Sequence, residues 1–107
     1  MSATEDGYAL EFLPQFEEDM REAVDYIRLT LRNHTAADKL VDDAFDAIYE
    51  RLNAPESFEP HPSKLDRERP YYRIPVGNFI VLYVVIGDVM EVRRFIYARR
   101  NWQSWHL

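Results

Sequence analysis

The stretch FIVLYVVIGDVMEVRRFIY, residues 79–97, decides the fold. It contains two runs, 79–86 and 89–97, that are rich in β-branched and aromatic residues, and Gly87-Asp88 separates them. Runs of this composition favour β-strands, and a two-residue Gly-Asp loop between them is typical of a hairpin turn. The sequence therefore predicts two antiparallel strands here.

Two further strands are predicted outside this hairpin. Before it, residues 71–74 have strand composition, Pro75 ends the run, and residues 76–78 form a turn. Near the N-terminus, residues 8–13 alternate well enough to place three apolar side chains on one face of a short strand. Residues 55–68 are polar and contain three prolines, which predicts a loop.

Two amphipathic helices are predicted between the first strand and the others. Pro14 suits the first position of a helix, and apolar residues follow at helical spacing up to Leu31, so a helix is predicted over residues 14–32. Thr35 is the predicted N-cap of a second helix, which ends near residues 53–55. The resulting order, β-α-α-β-β-β, predicts an α+β domain in which an antiparallel helical hairpin packs on one face of a small antiparallel sheet.

The length and composition predict one domain without disulfides. The chain has 107 residues and no cysteine, so a single domain is expected over residues 8–107, after a flexible leader at residues 1–7. The N-terminus has neither the basic nor the apolar region of an export signal, and the apolar run at 79–86 is too short to span a bilayer. We therefore expect a cytoplasmic protein with no membrane contact.

The charge of the chain is distributed unevenly. Residues 1–66 contain 16 acidic and 6 basic residues, a net of −10, whereas residues 67–107 contain 3 acidic and 7 basic residues, a net of +4. This asymmetry indicates a particular partner surface, although a solvated charged face is the simpler alternative. The total of −6 disfavours a nucleic-acid ligand, because affinity for phosphates depends on the number of cations presented to them. The histidine spacing offers no metal-binding set, and no cofactor is predicted.

The element order and two long segments resemble the RelE/ParE superfamily of bacterial toxins, the toxic halves of type II toxin–antitoxin (plasmid stabilisation) modules. The segments are YYRIPVGNFIVLYVVIGDVMEVRRFIYARRNW, residues 71–102, and DMREAVDYIRLTLRNHTAADKLVDDAFDAIYERL, residues 19–52. Long paired helices are more ParE-like than RelE-like. The resemblance implies a cognate antitoxin that wraps the toxin and holds it inactive, with operator DNA contacted only through that antitoxin.

The resemblance also implies one of two activities. RelE-type members cleave messenger RNA in the ribosome, which requires a base, an acid and cationic donors, whereas ParE-type members act on DNA gyrase without being hydrolases. For a ribonuclease the resemblance implies Arg73, Arg94, Arg99 and Trp105 as candidate catalytic residues. However, Ile80 stands where RelE-like enzymes carry a cation, and a tryptophan could stack on a base but could not transfer a proton. We therefore interpret the chain as leaning away from enzyme activity.

A surface that binds the target or the antitoxin is predicted near the C-terminal end of the sheet. Its candidate residues are Ile80, Leu82, Arg93, Arg99, Arg100 and Trp102. The aliphatic ones are expected, with Val84, on an uncovered sheet face that would need a partner to exclude water. The arginines are expected to bind acidic residues of the antitoxin by bidentate pairing.

Several of these residues also have structural interpretations. Arg93 and Arg94 are adjacent on a strand, so their side chains are expected on opposite faces, and one of them could pair with a helix carboxylate such as Glu17 or Asp25. Trp102 and Trp105 are three residues apart and could form one helical turn packed on the sheet. Three functions stay open: a ParE-like inhibitor of gyrase, a RelE-like endoribonuclease, and a family member that binds a partner without toxicity.

Overall fold

The computed structural model describes residues 7–60 and 69–102 of the chain. Its elements are β1 (Ala9–Phe12), α1 (Pro14–Asp25), a π-helical turn that continues α1 (Tyr26–Thr30), α2 (His34–Arg51), β2 (Tyr72–Val76), β3 (Phe79–Ile86) and β4 (Val89–Tyr97). The order β-α-α-β-β-β and the α+β class are confirmed. Residues 1–6 of the predicted leader, most of the predicted proline-rich loop, and Trp105 lie outside the described residues.

The four strands form one sheet in the order β1-β4-β3-β2. The pairs β2–β3 and β3–β4 are antiparallel as predicted, but β1 runs parallel to β4, with Leu10 opposite Met90. The sheet is therefore mixed and not wholly antiparallel. The reason is the connection: the helical hairpin carries the chain from β1 to the far edge, and two antiparallel turns then return β4 to the side of β1.

Strand β2 continues through Pro75, which corrects the prediction that this proline ends the strand. Pro75 lies opposite Ile80 in the β2–β3 ladder. The proline is tolerated because β2 is an edge strand in the described sheet, where a missing N–H can face away from the neighbouring strand. The predicted turns are present, and Gly77 and Gly87 adopt φ values of +57° and +62°, which glycine reaches at little cost.

The helical hairpin differs in detail from the prediction. Pro14 is the first residue of α1, as expected, but regular α-helix ends at Asp25 and the next five residues form a π-helical turn. The N-cap of α2 is Asn33 and not Thr35, because the Asn33 side chain accepts the Ala36 N–H at 3.0 Å. An asparagine is at least as good an N-cap as threonine, and here it is the residue that leaves the preceding turn.

The helices and the sheet enclose the main hydrophobic core. It contains side chains from every element, including Phe16 of α1, Ile48 of α2 and Phe95 of β4, each at most 2% exposed. A second, smaller cluster lies apart from this core. Its buried members are Tyr71, Ile80, Leu82, Val84, Ile96 and Trp102. Both faces of the sheet therefore carry buried apolar residues.

A polar contact fastens the end of α2 to the sheet. Arg51 Nη1 donates to Tyr83 Oη at 2.9 Å, and Tyr83 Oη donates to the Pro55 carbonyl at 2.7 Å. The Arg51 guanidinium also lies 3.6 Å from the centre of the Phe58 ring, a cation–π contact. These contacts hold the chain that leaves α2 against β3.

Candidate functional site

Arg94 of β4 is bound by a carboxylate of α1. Arg94 Nε donates to Asp19 Oδ2 at 2.7 Å, and Arg94 Nη2 donates to Asp19 Oδ1 at 3.2 Å. The backbone N–H of Phe95 donates to Asp19 Oδ2 at 3.0 Å, and Gln15 Nε2 donates to Asp19 Oδ1 at 2.9 Å. Asp19 is 8% exposed, so this carboxylate is buried with its charge paired and hydrogen-bonded. The expected pairing with a helix carboxylate is present, but its partner is Asp19 and neither Glu17 nor Asp25.

The neighbouring Arg93 has a different set of partners. Its Nε donates to Glu91 Oε1 at 2.7 Å, and its Nη1 donates to Tyr71 Oη at 3.0 Å. Burial lowers the pKa of Arg93, but the hydrogen bonds to Tyr71 and Glu91 outweigh it, so the net pKa is raised. The β3–β4 register shifts between Leu82 and Tyr83, so this bulge leaves one extra residue in β4 beside Arg94. The two adjacent arginines therefore do not share a partner among these contacts.

The candidate ribonuclease residues do not form a shared cluster of free cations. Arg94 is held by Asp19, whereas Arg73 is exposed on the edge strand β2 opposite Leu82. Arg99 is exposed just after β4, and Ile80 is 6% exposed within the second cluster. Within residues 7–60 and 69–102, no group of three or more histidine, aspartate or glutamate side chains is arranged to hold a metal ion.

Three of the residues predicted to bind a partner are buried. Ile80, Leu82 and Trp102 are 6%, 0% and 2% exposed and pack together in the second cluster. The expected uncovered sheet face is therefore wrong, because Trp102 and Tyr71 share this cluster with the aliphatic residues. Arg99 and Arg100 are exposed after β4, so they remain available as surface residues.

An open groove lies between α1 with its π-helical turn and the end of β4, and its volume is about 680 Å³. Its walls are formed by Asp19, Glu22, Ala23, Tyr26, Ile27, Leu31, Asn78, Phe79, Phe95, Ile96, Tyr97 and Arg100. Sequence reasoning missed this site. The apolar residues of the π-helical turn had been assigned to the buried stripe of a regular helix, yet Tyr26 and Leu31 are more than half exposed. Of the predicted contact residues, Arg100 alone is part of the groove.

The comparisons with known proteins identify the family. The model of the ParE toxin of type II toxin–antitoxin systems (parDE) matches residues 10–102. The chain belongs to the ParE toxin family. Among curated proteins, none matches the sequence of this ParE-family chain.

Solved structures give the same fold. The chromosomal ParDE system of P. aeruginosa has a TM-score of 0.69 and 16% identity, and the match covers 86% of this ParE-family chain and 97% of that chain. The archaeal RelE–RelB complex of Pyrococcus horikoshii has a TM-score of 0.58 and 14% identity, with 88% and 98% covered. The E. coli DinJ–YafQ complex has a TM-score of 0.50 and 20% identity, with 84% and 92% covered. At these identities the likeness shows a shared fold.

Across the described residues of this ParE-family chain, neither α1 nor α2 has the length and apolar character needed to cross a bilayer.

Proposed function

We propose that the chain is a toxin that inhibits a protein target, DNA gyrase, and is neutralised by a cognate antitoxin. The observation that carries this proposal is the burial of Ile80. RNA cleavage needs cationic donors around the developing phosphorane charge, and an aliphatic side chain that is 6% exposed supplies none. Since the ParE family model covers residues 10–102, the non-hydrolytic activity of ParE-type members is the function this site favours.

The arrangement of the arginines supports the same proposal. The Arg94 guanidinium already makes two hydrogen bonds to the buried carboxylate of Asp19. Recruiting it to a phosphate would leave that carboxylate buried without its cation, which is costly. Arg73 and Arg99 are exposed on different parts of the chain, so they suit contacts with another protein.

An antitoxin partner is supported by the solved relatives. The structures of similar fold include a ParDE system, a RelE–RelB complex and a DinJ–YafQ complex, each described with its partner. The exposed apolar side chains of Tyr26, Leu31 and Tyr97 give this chain a surface on which such a partner could bury area.

Two assays with the purified chain test the proposal. The first measures supercoiling of relaxed plasmid by DNA gyrase, and the second measures cleavage of messenger RNA on translating ribosomes. We expect the chain to inhibit supercoiling and to leave the message intact. Cleavage of ribosome-bound message at stoichiometric levels, with normal supercoiling, would replace this proposal with the RelE-like endoribonuclease.

Growth assays with single variants separate the remaining alternatives. If the target is a protein, induced expression of Arg99→Ala or Arg73→Ala should weaken growth inhibition only partially, since neither arginine would handle phosphate charge. Complete loss of toxicity in Arg99→Ala, with an unchanged circular dichroism spectrum, would favour the ribonuclease. Unaffected growth on expression of the unaltered chain without antitoxin would favour a family member that binds a partner without toxicity.

A further inference from the structure

The groove exists because β4 is longer than its neighbour β1. β1 ends at Phe12, which pairs with Val92, whereas β4 continues to Tyr97. Beyond Val92 the outer side of β4 therefore faces α1 and its π-helical turn instead of a strand. Asp19 accepts the Phe95 N–H at the start of this region, and the groove of about 680 Å³ opens beside it.

The groove gathers apolar side chains that elsewhere would be buried. Tyr26, Leu31 and Tyr97 are 55%, 56% and 40% exposed, and Phe79 lies between them and the core. Tyr26 is the first residue of the π-helical turn, and such turns are frequent at functional sites because they displace side chains from the regular helical stripe. Apolar side chains gathered on one open surface mark a site of interaction with another polypeptide.

The two walls of the groove carry opposite charges. Glu22 stands on the α1 wall and is exposed, and among the described residues no ion pair or hydrogen bond reaches its carboxylate. Arg100 stands on the opposite wall, just after β4. Asp19 also lines the groove, but Arg94 already neutralises its charge. A matching segment therefore needs a basic side chain towards α1 and an acidic one towards the end of β4.

We infer that this groove binds one segment of a partner polypeptide that carries apolar anchor residues, a basic residue for Glu22 and an acidic residue for Arg100. The inference rests on the proposed function, because the antitoxin is the polypeptide that would supply this segment. The opposite charges on the two walls fix the orientation of the segment, since a reversed segment would place like charges together.

The test uses the full chain and peptides of twelve residues selected from a random displayed library, then synthesised. Affinity is measured for Glu22→Lys and Arg100→Glu, which reverse the charge on each wall. The matched controls are Asp25→Lys and Arg99→Glu, which make the same charge changes at exposed residues outside the groove. We expect each groove variant to weaken binding by about tenfold or more, since a charge pair becomes a repulsion.

The controls should change affinity by no more than about twofold, because exposed charges away from the contact are screened. Reversing the corresponding charge in the peptide should restore binding to the groove variant. Equal loss in control and groove variants would overturn the inference, as would selected peptides whose affinity ignores both Glu22 and Arg100. A dimer of the chain that depends on these two residues would also overturn it, since the groove would then hold a second copy.

The peptide titration involves neither gyrase nor ribosomes, so its result can be read separately from the proposed function. If supercoiling is not inhibited while the selected peptides bind as expected, the target assignment fails and the groove stands. If supercoiling is inhibited while the groove variants bind peptides normally, the groove assignment fails and the toxin stands.

Discussion

Asp19 and Arg94 lie 75 residues apart in the sequence, and their ion pair joins α1 to β4 where β1 has ended. The Asp19 carboxylate accepts the Arg94 guanidinium at 2.7 Å and the Phe95 backbone N–H at 3.0 Å. It thus takes the place of a neighbouring strand for one residue of β4. The same contact occupies a cation that the family resemblance would otherwise offer to RNA.

Asp19→Asn should destabilise the fold by about 3 kcal/mol, because it leaves the partly buried Arg94 without its counter-charge. Asparagine has nearly the same shape and can still accept the Phe95 N–H, so the loss reports mainly the charge. Urea unfolding at neutral pH measures it. The control is Glu18→Gln, which removes the exposed ion pair with Arg21 and should leave the unfolding midpoint nearly unchanged. Equal midpoints for Asp19→Asn and the unaltered chain would contradict this assignment.

Ile80→Arg should fail to create a ribonuclease. The side chain at this position is buried beside Leu82 and Trp102, so an arginine would have to bury its charge or open the cluster. We expect a loss of stability of about 3 kcal/mol or more and no cleavage of ribosome-bound message. Ile80→Val is the control and should cost about 1 kcal/mol. A stable Ile80→Arg variant that cuts message would show that this face is an RNA site.

Tyr83→Phe should destabilise the chain by about 1–3 kcal/mol at neutral pH, because it removes the hydrogen bonds with Arg51 and the Pro55 carbonyl. Burial raises the pKa of Tyr83 from its ordinary value of 10.0, while the hydrogen bond from Arg51 opposes this. The unfolded chain therefore loses the hydroxyl proton at lower pH than the folded chain.

The stability that protonated Tyr83 contributes is complete below pH 10.0 and is lost as the pH rises through the folded pKa. The difference in free energy of unfolding between the unaltered chain and Tyr83→Phe should consequently shrink above pH 10.0. Urea titrations at neutral and alkaline pH measure this difference. Tyr49→Phe, at an exposed residue of α2, serves as the control. A difference that stays constant across this range would argue against ionisation of Tyr83.

Asn33→Ala should cost about 1 kcal/mol of stability, because the Ala36 N–H at the start of α2 loses its acceptor. Thr35→Ala, two residues later, should cost much less, since Thr35 is inside the helix and alanine is the better helix former. Thermal unfolding of the two variants side by side distinguishes them. A larger loss in Thr35→Ala would restore Thr35 as the cap.

Turn chemistry and periodicity made the element order predictable. Gly87-Asp88 between two β-branched runs defines the hairpin, and Pro14 defines the start of α1, because both signals act through φ and ψ of a few adjacent residues. The change of helical pitch at Tyr26 was not predictable in this way, since the apolar spacing up to Leu31 fits a regular helix equally well.

The sequence by itself determined the strands, the helices, their order and the family they resemble, because these depend on local backbone preferences and on spacing within each element. The tertiary structure alone decided which apolar residues are covered, so that Ile80 and Leu82 are buried while Tyr26 and Leu31 are exposed. It also decided that Arg94 faces Asp19 and that β4 outruns β1 to leave a groove. The reason is that burial and charge pairing depend on residues brought together from distant positions, such as Asp19 and Arg94, whose meeting no local pattern encodes.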